Sequence, residues 1–578
     1  MARRSAQDEV RTLTTDVLVI GSGGAGLRAA IAAHDAGANV LVIGKCRLGR
    51  AHTRQAEGGI NAALGSHDPE DTWLVHAADT LKEAHFINDA PFVEKLCREA
   101  PSVIQELLSW GVPFNRTKNN KIDQRYFGAH RYRRTCFVGD RTGLAILNAL
   151  VRQVRKRRIK HIDDVYVTKL LARGRRVIGA FCVRLADERP VIILAKAVVL
   201  STGGCTRVYK TSTYTEEGYG DGLKLAYDLG AELMDMEMMQ FHPTGMVYPP
   251  QYKGILVTEA VRGEGGILLN AKGERFMLRY DPQRKELGPR DEVARAIWSE
   301  IQAGRGTRHG GVWLDITHVN PAIVRKRLPK MVRQFKTLAG IDITRQKIEV
   351  APTAHYAMGG IHVAEDNTVY GCTGLYAAGE TTAGVHGANR LGGNSLMDIL
   401  VFGRDAGENA AAFAKKSVHL RPDLREISAE ARRIREPLRK RAGIAPHVLE
   451  ARIRTCMWQH AGILRNQREL AKGLAEIRTL QKEIARIGLG SQATYAREWR
   501  HYQDMASILM ICEAIIRSAL FRKESRGAHA RTDYPEKRKA WQVHVRCAGG
   551  KKGMHVFTRP VVQPRGALAN HLKSEGLL

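Results

Sequence analysis

The chain has 578 residues, 44% of them apolar and 26% charged, with a formal net charge of +31. That length exceeds one compact core and implies roughly two to four domains. No uninterrupted apolar run is long enough to cross a bilayer, and the nine cysteines form no C-x-x-C pair, which argues against a disulfide framework or a cysteine-bound zinc or iron–sulfur site.

Residues 1–10 hold two arginines with no apolar segment behind them, so a cytosolic start is expected in place of twin-arginine export. Residues 15–20 read as a buried strand, 27–36 as an alanine-rich helix stopped by Gly37, and 39–43 as a second strand. This is a βαβ unit, the minimum dinucleotide-binding fold. Gly21-Ser22-Gly23-Gly24-Ala25-Gly26 stands between its first strand and its helix and fits G-x-G-x-x-G. The first glycine allows the sharp turn, the second lets a pyrophosphate approach the backbone, and the third lets helix and strand pack closely. The acidic residue of an ordinary NAD site is missing from the end of the second strand, where Ile43 is followed by Gly44-Lys45.

Residues 164–172 and 176–185 read as strands joined by a basic turn, and 191–200 as another buried strand. A mixed stretch follows from about 236 to 350, after which glycine-rich apolar sequence resumes at 355–412, as an insertion in a split α/β domain would produce. From about 416 the texture is helical: Leu470, Leu474, Ile477, Leu480, Ile484 and Ile487 recur at spacings of three and four, with Gly488 as a stop. Residues 411–578 carry 34 Lys+Arg against 15 Asp+Glu, a surface that could face nucleic acid, an anionic membrane or an acidic partner, or be simply solvated.

Several longer motifs occur in one order. They are Arg50-Ala51-His52-Thr53-Arg54-Gln55-Ala56-Glu57-Gly58-Gly59, Gly220-Asp221-Gly222, Gln240-Phe241-His242-Pro243-Thr244-Gly245, Thr258-Glu259-Ala260-Val261-Arg262-Gly263-Glu264-Gly265 and Gly288-Pro289-Arg290-Asp291. His355-Tyr356-Ala357-Met358-Gly359-Gly360, Gly379-Glu380, His386-Gly387-Ala388-Asn389-Arg390-Leu391-Gly392-Gly393-Asn394-Ser395-Leu396 and Lys523-Glu524-Ser525-Arg526-Gly527-Ala528-His529 complete the set. Together they resemble the flavoprotein subunits of succinate dehydrogenase and fumarate reductase, over residues 14 to 535.

The resemblance, with the texture of the chain, implies a split Rossmann-like α/β FAD-binding domain (1–235 and 350–415), an inserted α+β capping domain (236–349) and a helical domain (416–536); residues 537–578 lack clear periodicity and are expected to form a short, mostly extended C-terminal tail. The resemblance implies FAD bonded covalently to His52, a neutral imidazole being a good nucleophile near neutral pH. The implied cofactor contacts are Gly21, Ser22, Gly23, Gly24, Ala25, Gly26, Lys45, His52, Thr53, Gly58, Gly59, Asp221, Glu380, Asn389, Ser395 and Leu396. His242, Thr258, His355 and Arg390 would grip a four-carbon dicarboxylate with Phe127 packed beside it, and an arginine fork suits a carboxylate. Arg290 would move the proton, with Glu259 and Arg262 relaying it. Where the family often continues F-G-G, this chain reads Phe127-Gly128-Ala129-His130.

The expected partners are succinate or fumarate and a separate iron–sulfur protein subunit, with a membrane anchor reached indirectly, on the cytoplasmic side of the cell membrane. Nucleic acid and a resident metal are not expected. Three other readings share parts of the pattern: fumarate reductase run in reverse, L-aspartate oxidase, and a basic nucleic-acid-binding or assembly protein on a flavoprotein scaffold. His52 and Gly392-Gly393-Asn394-Ser395-Leu396 speak against the oxidase, and charge alone speaks for the last.

Overall fold

Val17, Leu18, Val19 and Ile20 are all buried, so the strand Arg11–Ile20 lies inside a sheet covered on both faces. The computed structural model describes residues 11–186, 189–441, 443–490, 497–551 and 553–578; the arginine-bearing start lies outside them. Arg11–Ile20 pairs in parallel with Val40–Ile43, and that strand with Lys160–Ile162. On its other side it pairs in parallel with Arg189–Leu200. The far edge of Arg189–Leu200 is divided: Arg176–Arg184 runs antiparallel along one half, followed by Val165–Arg173, while Leu375–Ala377 joins the other half in parallel. Leu375–Ala377 thus joins the first sheet from far downstream in the sequence.

The helix Asn394–Lys415 packs against Gly24–Asp35. Cβ atoms at Gly403 and Gly407 would press into the carbonyl oxygens of Ala25 and Ala29, so glycine permits the close approach.

The inserted region has its own antiparallel sheet, in the order Met239–Met246, Ile348–Ala357, Val312–Asp315, Ile267–Leu269. Its core includes Met246, Val257, Phe276, Ile297, Leu314 and Phe335. The expected boundary at 349/350 falls inside the strand Ile348–Ala357, which pairs with Met239–Met246 through to Ala357. Two register shifts in that pairing, at Gln240/Phe241 and His242/Gly245, bend the edge strand and re-aim its side chains.

The helical region comprises Leu424–Arg439, Pro446–His460, Gln467–Ile484 and Arg497–Phe521. Asn466 caps the third helix by accepting from Glu469 N, and Leu470, Ile477 and Leu480 are buried as the periodicity predicts. The helix ends at Ile484, short of the expected stop at Gly488.

Residues 537–578 differ from the extended tail expected. Val543–Gly550 and Gly553–Pro560 form a hairpin that adds to Leu233–Met234, and Gly566–Ser574 is a helix with Leu568 and Leu572 buried. Their burial does not alternate regularly, so the strands show no clean period. His544 on the first of them is fully buried between Asp235 (2.6 Å) and Asp89 (3.1 Å). Burial pulls this imidazole down, but the two carboxylates outweigh it and push it up to about 9. A raised value means the contribution is fully present below about pH 6.5 and is lost as pH rises through about 9. His544→Gln is expected to lower stability at pH 6.5 by about 3 kcal/mol, because it removes the cation that Asp89 and Asp235 share, although Arg522 still lies 3.6 Å from Asp235. Denaturant unfolding at pH 6.5 and 9.5 checks this: the variant loses the decline with pH that wild type shows, and an unchanged decline refutes the assignment.

Candidate functional site

The glycine turn builds one wall of a long cavity. Gly21 sits at φ +120°, and a Cβ there would overlap the carbonyl of Ser201; one at Gly26 would overlap the Gly21 carbonyl. Strand and helix therefore touch through glycine, and Gly26 packs there without lining the cavity. Gly21, Ser22, Gly23, Gly24 and Ala25 do line it. The helix starts at Gly23 with no side-chain cap, and Thr53 Oγ1 accepts from Gly24 N at 3.1 Å. This is a cradle of backbone N–H groups at a helix N-terminus, suited to a pyrophosphate.

At one end of the cavity stands Lys45, held by Asp221 (2.8 Å) and Asp504 (2.6 Å). Burial opposes its charge, but the two carboxylates outweigh that and raise its pKa. Along the wall, His52 stacks on Tyr214 with ring centres 3.8 Å apart. Its Nδ1 is buried without a partner, and desolvation, then Arg390, hold the ring neutral with a pKa near 3. Glu380 accepts from Ala357 N at 3.0 Å and is pushed up to about 8 by burial. Gly58, Gly59, Ser395 and Leu396 also line the wall.

The other end is cationic. Arg290 donates from Nε to Glu259 Oε2 at 2.8 Å and from Nη1 to Gln240 Oε1 at 3.1 Å. Arg390 donates to the same Gln240 oxygen at 3.0 Å and to Ser395 Oγ at 3.2 Å. Burial, then repulsion from Arg290, draws Arg390 down to about 9. Burial alone would raise Glu259, but Arg290 and Arg262 outweigh it and hold it well below the usual carboxylate range. His242 and His355 lie 5.0 Å apart, both held neutral by burial and neighbouring cations. Thr244 engages Nδ1 of His242 and Thr213 engages Nδ1 of His355, which leaves each Nε2 free. Thr258 lines the same end.

Gln240 was visible only as a neighbour of the His242 motif, yet it organises the arginines. Both N–H bonds of Asn389 are taken by carboxylates, Glu83 at 2.7 Å and Asp291 at 2.6 Å. Asn389 Oδ1 must then accept, from Gln240 Nε2 at 2.8 Å. This forces the Gln240 oxygen toward Arg290 and Arg390. Asn389 is thus committed behind the arginines and does not line the cavity. Arg262 likewise lies behind it, 4.0 Å from Glu259.

Phe127 packs where a Cβ at Gly58 would collide with its ring. Glu259 Oε1 accepts from Gly128 N at 2.7 Å and fixes the loop. Ala129, which stands where the family often has glycine, is left-handed at φ +65°, at a cost of about 1 kcal/mol. Tyr214, Tyr166 and Asp504 were also missed: they lie far from their partners in sequence, Asp504 being 459 residues from Lys45.

Comparison with known proteins gives a consistent picture. Residues 16–396 match the FAD binding domain family, and residues 450–567 match the fumarate reductase flavoprotein C-terminal family. The chain is 44% identical to one of the subunits of the CoM/CoB fumarate reductase of Methanothermobacter marburgensis, covering 92% of this chain and 96% of that protein. It is 39% identical to the succinate dehydrogenase flavoprotein subunit of Rickettsia bellii, covering 92% of each. Among solved structures, Mycobacterium smegmatis Sdh1 in complex with UQ1 superposes with a TM-score of 0.86 at 40% identity, covering 96% of this chain and 95% of that one. FrdA of E. coli quinol fumarate reductase gives 0.91 at 31%, covering 97% and 99%.

Replacing Gln240 by leucine leaves the two guanidinium groups without their shared acceptor. Malonate, as a two-carboxylate probe, is expected to bind about tenfold more weakly by calorimetry. The melting temperature is expected to fall as well, because Asn389 and both guanidinium groups lose a buried partner; equal affinity in the variant would contradict this role for Gln240.

Proposed function

Because the chain belongs to the family of succinate dehydrogenase and fumarate reductase flavoproteins, we propose that it is a catalytic FAD subunit that interconverts succinate and fumarate. The observation that carries this reading is the buried pair Arg290 and Arg390, both bonded to Gln240, with a single carboxylate, Glu259, bonded to Arg290. A buried site with surplus positive charge favours a dianion.

The residues present fit FAD. Gly21 to Ala25 supply the pyrophosphate cradle, and Lys45 with Asp221 occupies the place where a dinucleotide's ribose is recognised. His52, neutral and with a buried unpartnered nitrogen, supports covalent attachment at that residue. When bound, the flavin supplies acceptance or donation of a hydride.

His242, His355, Thr258 and Arg390 hold the two carboxylates and orient the central carbons. Arg290 exchanges a proton with the carbon that does not exchange hydride. In water a guanidinium holds its proton above pH ~12, which makes it a poor base. Arg262 and Arg390, the cations beside it, both lie below the ordinary guanidinium value, chiefly through burial, with Arg290 repelling each. Glu259, ionised and 2.8 Å from Arg290, is placed to pass the proton on toward Arg262.

The nine cysteines are unpaired, and the described residues hold no group of three or more His, Cys, Asp or Glu able to bind a metal. The electron partner is a separate iron–sulfur subunit, as the family resemblance implies. No helix among the described residues is long and apolar enough to cross a membrane. Peripheral attachment to the cytoplasmic face of the membrane, through partner subunits, accords with that. The relatives carry both family names, which supports chemistry that runs either way.

Arg290→Ala tests the reading. With an artificial dye, the variant is expected to lose about 10²–10⁴-fold in turnover in both directions while still binding flavin. Turnover equal to wild type would overturn it. A tryptic peptide containing His52 is expected to carry the mass of the flavin, and His52→Ser to release all flavin on denaturation.

A further inference from the structure

We propose that Asp504, on a helix outside the FAD-binding domain, is a positioning residue for the adenosine end of FAD. It acts through Lys45 on Asp221, so the helical region takes part in cofactor recognition. The inference rests on the reading that the cavity takes FAD.

The starting point is the missing acid. In a dinucleotide fold a carboxylate at the end of the second strand accepts from the ribose. Here that place holds Lys45, which has no lone pair to offer when charged. Asp221, 176 residues away in sequence, brings its carboxylate to the same spot. Its Oδ2 is bonded to Lys45 at 2.8 Å, while its Oδ1 is buried with no partner. Asp221 lines the cavity, so this oxygen is a spare acceptor for a ribose hydroxyl.

A carboxylate on a lysine is a flexible arrangement unless the lysine is itself fixed. Asp504 fixes it. Its side chain is almost wholly buried, and its Oδ1 accepts from Lys45 Nζ at 2.6 Å and from the Tyr166 hydroxyl at 2.9 Å. Tyr166 lines the cavity beside Lys45, and its ring meets Trp499 of the same helix edge-on at 5.5 Å. The lysine ammonium also sits 4.8 Å from the Tyr166 ring centre. The helix Arg497–Phe521 therefore braces two cavity-lining residues at once, although Asp504 itself does not line the cavity.

A brace at this end should be felt by the adenosine half of the cofactor and not by the flavin half. The test uses the full chain with His52→Ser, so that flavin exchanges freely, and compares dissociation constants for FAD and FMN. Adding Asp504→Asn is expected to weaken FAD about tenfold while changing FMN less than about twofold. Equal losses for both ligands, or no loss for FAD, would overturn the proposal. If the amide variant does not fold, Asp504→Ser, which leaves room for water beside Lys45, is titrated in the same way. If neither folds, Asp504 is structural and the proposal fails. Failure of the parent His52→Ser protein to bind FAD at all would instead count against the cavity as an FAD site.

Discussion

Two guanidinium groups bonded to one amide oxygen in a buried site are the constraint on which the rest of the structure depends. Like charges stay together without water only if their surroundings are fixed. The fixing runs backward from Gln240 to Asn389 and then to Glu83 and Asp291, each step setting which atom of the next group faces forward. These residues come from the helix Trp73–Glu83, the edge strand of the inserted sheet, the helix Arg290–Glu300 and the segment just before Asn394–Lys415. The site exists only where the inserted region meets the split α/β domain, and the bulged register of Met239–Met246 aims both Gln240 and His242 at that seam.

The surplus charge also explains the titration pattern. Glu259 is ionised because Arg290 and Arg262 outweigh its burial, whereas for Glu380 burial outweighs Arg390 and pushes it upward. The imidazoles stay neutral because burial first, and the neighbouring positive charge second, cost a protonated ring more than any nearby carboxylate returns. Neutral histidines can still donate to a carboxylate, and one of them, His52, keeps the lone pair a nucleophile needs.

What was legible in the sequence was local. The glycine turn, the buried strands around it and the leucine face of Gln467–Ile484 each declare themselves within about twenty residues, through spacing and backbone freedom. The motifs around His242, Thr258, Arg290, His355 and Arg390 could be quoted because family resemblance preserves short strings. The parts that were not legible pair residues across the chain. Asp504, between Gln503 and Met505 on Arg497–Phe521, gives no sign that it meets Lys45. Asn389 stands inside a cofactor motif, yet its amide serves the arginines. The C-terminal hairpin looked featureless because its fixing contacts, His544 with Asp89 and Asp235, come from far upstream. Long-range electrostatic pairing has no period to read.

The central claim is that surplus buried charge selects a dianion. The most direct measurement compares malonate with propionate, which has the same carbon count and one carboxylate fewer, by calorimetry on the same flavin-loaded protein. The account expects malonate to bind about 100-fold more tightly, the second carboxylate gaining charge-assisted hydrogen bonds in a buried site. Equal affinity for the two acids would contradict it.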